Sequence, residues 1–202
     1  MNVSLIQGTP KSIKKIADIA KICYDSNPSD PMKLVQHLYK NGHHSVFEHI
    51  YFTFKIEGIS RACSHQLVRH RMCSFTQRSQ RYCSEEDFEY VTPPSLIDNA
   101  FYNNDIRDIT REYEFYQGIV PNEDARYVLP NACCTDLYLS CNLRELIHIA
   151  NERLCSKAQW EIRELVQKMV DLVEPELKFM LVPKCKSGRI ICHTPCKMKG
   201  DN

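Results

Sequence analysis

The chain contains no run of about 18 apolar residues, so no membrane-spanning helix is expected. Glycine is scarce, with only 6 in 202 residues. Neither G-x-G-x-x-G nor G-x-x-x-x-G-K occurs, so any dinucleotide would be held on a scaffold other than a Rossmann or P-loop. Charge of one sign is not in excess: 26 Lys and Arg against 25 Asp and Glu give a formal net charge of +1. A surface devoted to nucleic acid usually carries a large basic excess, so that class of partner is disfavoured. Internal repeats and low-complexity segments are missing as well. The opening residues Met-Asn-Val-Ser-Leu-Ile lack the basic-then-apolar layout of a signal peptide, and the expected location is the cytoplasm. The 11 cysteines are odd in number and fit a full disulfide framework poorly; in the cytoplasm they would be mostly reduced thiols.

Hydrophobic residues at 43% and charged residues at 25% describe an ordinary globular chain. One large domain over residues 1–182 is expected, followed by a cysteine-rich tail over 183–202. Thr9-Pro10 and Asp30-Pro31 read as helix starts, the second leading to a helix over 31–41 that Gly42 ends. From 47 to 57 the period changes: Ile50, Phe52, Phe54 and Ile56 alternate with polar residues as in a half-buried strand, with Gly58 as its stop. A helix over 59–69, a loop over 74–82, a short strand over 88–91, helices over 96–118 and 121–127, and a strand over 133–141 follow. Asn142/Glu145 and Ser156/Gln159 have capping-box spacing, for helices over 143–154 and 157–173. The order implies an α+β fold with a mixed or antiparallel central sheet flanked by helices.

The most informative segment is Arg-His-Arg-Met-Cys-Ser-Phe-Thr-Gln-Arg-Ser-Gln-Arg, residues 69–81. It holds four arginines and no carboxylate; the nearest acids in sequence are Glu57 and Glu85. Arg presents a planar fork that grips phosphate or a ring edge in two places, so an all-Arg cluster suits a specific anion. A second polar block runs Gly42-His43-His44-Ser45-Val46-Phe47-Glu48-His49. Its histidines do not follow a His-x-x-x-His helical spacing, so a polar cofactor contact is preferred to a metal. The Cys185, Cys192, His193 and Cys196 tail matches no finger or ribbon spacing, and no metal is assigned to it. Cys73, among cations, could be a nucleophile, yet a small buried filler is the better reading in a chain so rich in cysteine. Arg144 sits in the first turn of a helix, where the macrodipole disfavours a cation; an anion nearby would account for it. Two other function classes stay open on residues alone. One is a nucleic-acid module built on the Arg cluster; the other is a zinc or thiol-redox protein built on the tail.

Arg69-His70-Arg71, with Ser74, Ser79 and Arg81 in the pattern R-H-R-x-x-S-x-x-x-x-S-x-R, resembles the signature of the flavin-dependent thymidylate synthases. The 42–49 block, Asn142-Leu143-Arg144, Arg153 and Ala158-Gln159-Trp160-Glu161-Ile162 resemble further blocks of that family, in order, over about residues 40–165. The resemblance implies a non-Rossmann FAD-binding fold, a catalytic domain over 1–182 and a homotetramer with sites where subunits meet. It implies reductive methylation of dUMP to dTMP: methylenetetrahydrofolate gives the carbon, FAD reduced by NADPH gives the hydride, and tetrahydrofolate leaves. Carried over by position, Ser45, Arg69, His70, Arg71, Gln77, Asn142, Arg144 and His148 are expected to hold the flavin. Gln66, Arg69, Gln77, Arg78, Ser79, Gln80, Arg81, Arg126 and Arg153 are expected to bind dUMP. Arg153 is expected to polarise the uracil ring, and Ser79 to join it as a catalytic residue. Gln77 stands where other members have Glu, and His148 where some have Asn. No enzymic thiolate is required, which weakens the nucleophile reading of Cys73.

Overall fold

The computed structural model describes residues 1–24 and 29–188. The expected tail residues Cys192, His193 and Cys196 lie outside them, while Cys185 is exposed. Four strands, β1 (Asn2–Gly8), β2 (Tyr51–Ser60), β3 (Ser74–Gln77) and β4 (Cys134–Asn142), form one antiparallel sheet in the order β1-β2-β4-β3. The helices among the described residues are α1 (Ser12–Tyr24), α2 (Pro31–Lys40), α3 (Arg61–Leu67), α4 (Ala100–Gln117), α5 (Asn122–Ala125), α6 (Leu143–Arg153) and α7 (Trp160–Asp171). The α+β expectation holds.

The chain divides into two compact units. One comprises residues 1–2, 56–69 and 76–137; the other comprises 3–55, 70–75 and the described residues from 138 onward. In the second unit α1 packs on α2 and α6 on α7. Ile16, Val35, Ile50, Phe52, Phe54, Leu146, Ile162, Leu165 and Met169 are buried there. Burying each such side chain contributes about 1.5–3 kcal/mol before chain entropy is subtracted. In the first unit α4 turns Ile106 and Ile109 toward Phe88 and Cys133.

Local rules explain most boundaries. Asp30 caps α2 by accepting from Met32 N and Lys33 N, with Pro31 at its first position. Ser60 Oγ caps α3 through Cys63 N at 3.0 Å. Several expectations are corrected. Thr9-Pro10 does not start α1; the helix begins at Ser12, after Lys11 adopts φ 52°. Its start is capped from far away in sequence: Glu174 accepts from Lys11 N at 2.8 Å and Ser12 N at 3.0 Å. Residues 45–49 form a 3-10 turn, so the strand starts at Tyr51. Gly58 does not end β2: the strand continues to Ser60, with Gly58 at φ 66° and its N–H donated to the Asp136 side chain. Only Gly adopts that conformation without strain. The 74–82 loop begins instead as strand β3, and the 88–91 strand shrinks to one bridge between Tyr90 and Cys133. The expected 96–118 and 157–173 helices start late. Asn99 caps α4, and Gln159, not Ser156, caps α7 by accepting from Glu161 N and Ile162 N.

Candidate active site

The 69–81 run is divided between the two units: residues 70–75 belong to one, Arg69 and residues 76–81 to the other. In the unit holding His70, α6 organises the site. Asn142 is its N-cap, accepting from Glu145 N at 2.9 Å. Arg144 follows in the first turn and pairs with the Glu48 carboxylate, which supplies the anion its position called for. Asn142, Arg144 and His148 line a pocket of about 590 Å³ with His44, Glu48, Met72, Glu145, Ile147 and Asn151. Ser45, at the start of the 3-10 turn, and Arg71 are exposed and are not among the pocket's lining residues. Burial of Glu145 raises its carboxyl pKa above the usual range.

Arg153 is the last residue of α6, and its Nε donates to His70 Nε2 at 3.0 Å. A guanidinium has no lone pair to offer, so Nε2 is the unprotonated nitrogen and Nδ1 bears the proton. Burial, with the neighbouring Arg153 charge, lowers the His70 pKa to about 4; the ring is neutral at pH 7. Nδ1 lies 3.6 Å from Glu145 Oε1. Among the described residues His70, Glu145 and His148 bring ligand atoms within 4.8 Å of one another. With Nδ1 protonated, the trio offers a metal only two donors.

Cys73 is half-buried and hydrogen-bonds Cys141. That bond and burial hold the Cys141 thiol well above its ordinary pKa, which suits structural thiols rather than a nucleophile.

The other unit holds the remaining expected residues. Gln77 donates from Nε2 to Ser64 Oγ and Thr135 Oγ1, both at 3.1 Å. Ser64 Oγ gives its own proton to Arg61 O, so it accepts from Gln77 and fixes the amide. Two cations of the run are paired: Arg78 Nε donates to Glu85 at 3.1 Å and Arg81 Nε to Glu123 at 2.6 Å. The Glu85 hydrogen bond and charge raise the Arg78 pKa. Arg126 donates to Glu123 O at 3.0 Å. Ser79 Oγ accepts from Arg81 N at 3.3 Å, and Ser79 O accepts from Cys83 N. Gln80 is 8% exposed, with its amide on Cys133 Sγ at 3.6 Å, so it faces that unit's interior. Gln66 is half-buried on α3, and Arg69 is exposed just beyond it. Burial pushes the Cys133 thiol up to about 12.

Sequence reasoning missed Glu145 as more than a capping residue, and missed Met72, Ile147 and Asn151 as pocket walls. The apolar pair carried no signal, whereas a Glu on the buried stripe of a helix did.

The family model described as "Thymidylate synthase complementing protein" matches residues 4–177. A flavin-dependent thymidylate synthase of Clostridium tetani is 35% identical, over 93% of this chain and 89% of the relative. One of Geobacter sulfurreducens is 40% identical over 93% and 90%. One of Sulfurisphaera tokodaii is 46% identical over 72% and 60%. Among solved structures, thymidylate synthase X of Helicobacter pylori with FAD and dUMP has a TM-score of 0.79 at 23% identity, covering 92% of this chain and 99% of that one; it supports the fold. With a matching model across most of the described residues and close relatives along nearly the whole length, this chain belongs to the flavin-dependent thymidylate synthase family.

Proposed function

We propose that the protein converts dUMP to dTMP by reductive methylation, with methylenetetrahydrofolate as carbon donor and FAD, re-reduced by NADPH, as hydride carrier. Family membership carries the reaction class. The observation that carries the site is α6, which bears Asn142, Arg144 and His148 on the pocket and Arg153 at its end. Those polar groups beside the apolar walls of Met72 and Ile147 fit a flat ring system with polar edges and phosphates. Asn142, Arg144 and His148, with Ser45, Arg69, His70, Arg71 and Gln77, are the residues assigned to the flavin. When bound, reduced FAD supplies the hydride that completes the methyl group.

The chain's own residues orient and polarise. Arg153 stabilises negative charge that develops on the uracil ring, and a fixed guanidinium in a site shielded from water is worth far more than in solution. Its Nε donates to His70, which ties the guanidinium to a buried ring. Gln66, Gln77, Arg78, Ser79, Gln80, Arg81 and Arg126 are assigned to dUMP, with Ser79 Oγ and the arginines for its phosphate. Arg78 and Arg81 must then exchange the carboxylates of Glu85 and Glu123 for phosphate oxygens. The proposal includes a homotetramer and a cytoplasmic location; no helix among the described residues is long and apolar enough to cross a membrane.

The visible absorption of the purified protein tests this reading. A flavin band released on denaturation, together with methylation of dUMP, is the expected result. Colourless protein that takes up no added FAD sinks it and reopens the nucleic-acid or zinc alternatives.

A further inference from the structure

We infer that Glu145 is a positioning residue: its carboxylate fixes the His70 tautomer that receives Arg153, and so aims the Arg153 guanidinium. The inference rests on the role proposed above for Arg153. Arg153 Nε donates to His70 Nε2 at 3.0 Å, an arrangement possible only while that nitrogen is unprotonated. A neutral imidazole free to choose would exchange its proton between both nitrogens; a carboxylate beside one of them decides the matter. Glu145 Oε1 stands 3.6 Å from Nδ1. That is beyond hydrogen-bond range; with the ring neutral, the contact is that of a carboxylate facing an N–H dipole, between groups only 6% and 8% exposed.

Glu145 also lines the pocket, with His148 close by. Glu145 sits where a capping box would send it back to the Asn142 N–H, yet its side chain turns to His70. A carboxylate held in such burial is unfavourable unless something uses it. The same helix then carries both ends of the relay: Glu145 in its first turn and Arg153 at its last residue, with His70 joined to each. The other charged or titratable groups around His70 are His148, whose ring centroid is 5.5 Å away, and Glu152. His148 is exposed and on the pocket, so it is not the group that fixes a buried proton.

The test records the imidazole nitrogens of His70 by NMR on histidine-labelled full-length protein, beside steady-state turnover of dUMP. Wild type should carry its proton on Nδ1. In Glu145→Leu the proton should spread to Nε2, and kcat should fall about tenfold, the scale of a catalytic group aimed less well. KM for dUMP should stay within about twofold, because the guanidinium acts on charge present only in the transition state. Glu145→Gln, which still offers an acceptor oxygen, should recover most of both. An unchanged tautomer and unchanged kcat in Glu145→Leu overturn the inference. If that variant does not fold, Arg153→Lys decides: with Glu145 in place Nδ1 should keep its proton, and migration to Nε2 overturns the inference. The tautomer is read on free protein, so failure of wild type to methylate dUMP would remove the reading of Arg153 while leaving the geometry decided.

Discussion

Arg153 and His70 share one hydrogen bond, and it links catalysis to stability. Arg153→Ala should still bind FAD, since Asn142, Arg144 and His148 still line the pocket, but kcat/KM for dUMP should drop about 100- to 1000-fold, the usual loss for one preorganised electrostatic donor. Retained turnover in a stopped-flow or isotope-release assay would remove the role. His70 has a folded pKa of about 4 against an ordinary 6.5. Between those values the unfolded chain holds a proton that the folded chain does not, so stability rises with pH across the window and is lost as pH falls through it. Glu145, with its pKa raised by burial, acts in the opposite sense, holding its proton longer in the folded state. His70→Asn should therefore flatten the rise in unfolding free energy between pH 4 and 6.5; an unchanged slope in urea titrations at several pH values counts against the shift. Cys73→Ser should keep most turnover, because Cys73 bonds to a second thiol rather than to a base; a thousandfold fall, about 4 kcal/mol of barrier, would reinstate a nucleophile. At this scale the sequence blocks were legible, but their acidic partners were not. Glu48, Glu123 and Glu145 reach Arg144, Arg81 and His70 across the fold, and no local spacing announces such pairs.

Caps decide how the helices that carry the site begin, and two of them can be tested. Glu174 closes α1 with one carboxylate that accepts two backbone hydrogen bonds. Glu174→Ala should cost about 1–2 kcal/mol in chemical denaturation, while a loss near zero would mean water replaces it. Asn142 serves both as the α6 cap, through Oδ1, and as a pocket wall. Asn142→Asp keeps the acceptor and suits the positive helix end, so stability should hold, while loss of the amide donors and an added negative charge should weaken FAD binding about tenfold. Equal loss of stability and of binding would show that the cap alone matters. Element boundaries were legible where a local rule acted alone, as at Asp30-Pro31 or in the alternation of Ile50, Phe52, Phe54 and Ile56. They were lost where the partner is remote. Strands β1 and β3 lie at the two edges of the sheet; β3 is short and polar, and only its pairing to β4 makes it a strand. Ser156 and Gln159 fit a capping-box pattern, yet the Gln side chain itself reaches the α7 amides, so spacing identified the cap but not its register.

At the scale of the whole molecule, the unit that contains α4 carries an apolar surface among the described residues. Tyr102, Ile106, Ile109 and Tyr113 turn toward that unit's interior, with Ile106 and Tyr113 buried. Phe101 and Phe115, about four helical turns apart and therefore on one side of α4, remain 79% and 65% exposed. Ile97, Ile119 and Tyr127 near the ends of the helix are exposed as well. Scattered apolar residues need no account, but several large ones along one helix suit an interaction surface. The proposed homotetramer supplies that partner without any further protein. Light scattering on the purified protein should give a mass four times 23.6 kDa. Replacing Phe101 and Phe115 together by Asp should shift the population to smaller species, because a buried carboxylate without a partner costs several kcal/mol. If the active sites lie where subunits meet, dUMP turnover should fall in step with the loss of tetramer and recover at higher protein concentration. A double variant that stays tetrameric assigns the α4 surface elsewhere, and one that is monomeric yet fully active shows that each subunit carries its own complete site.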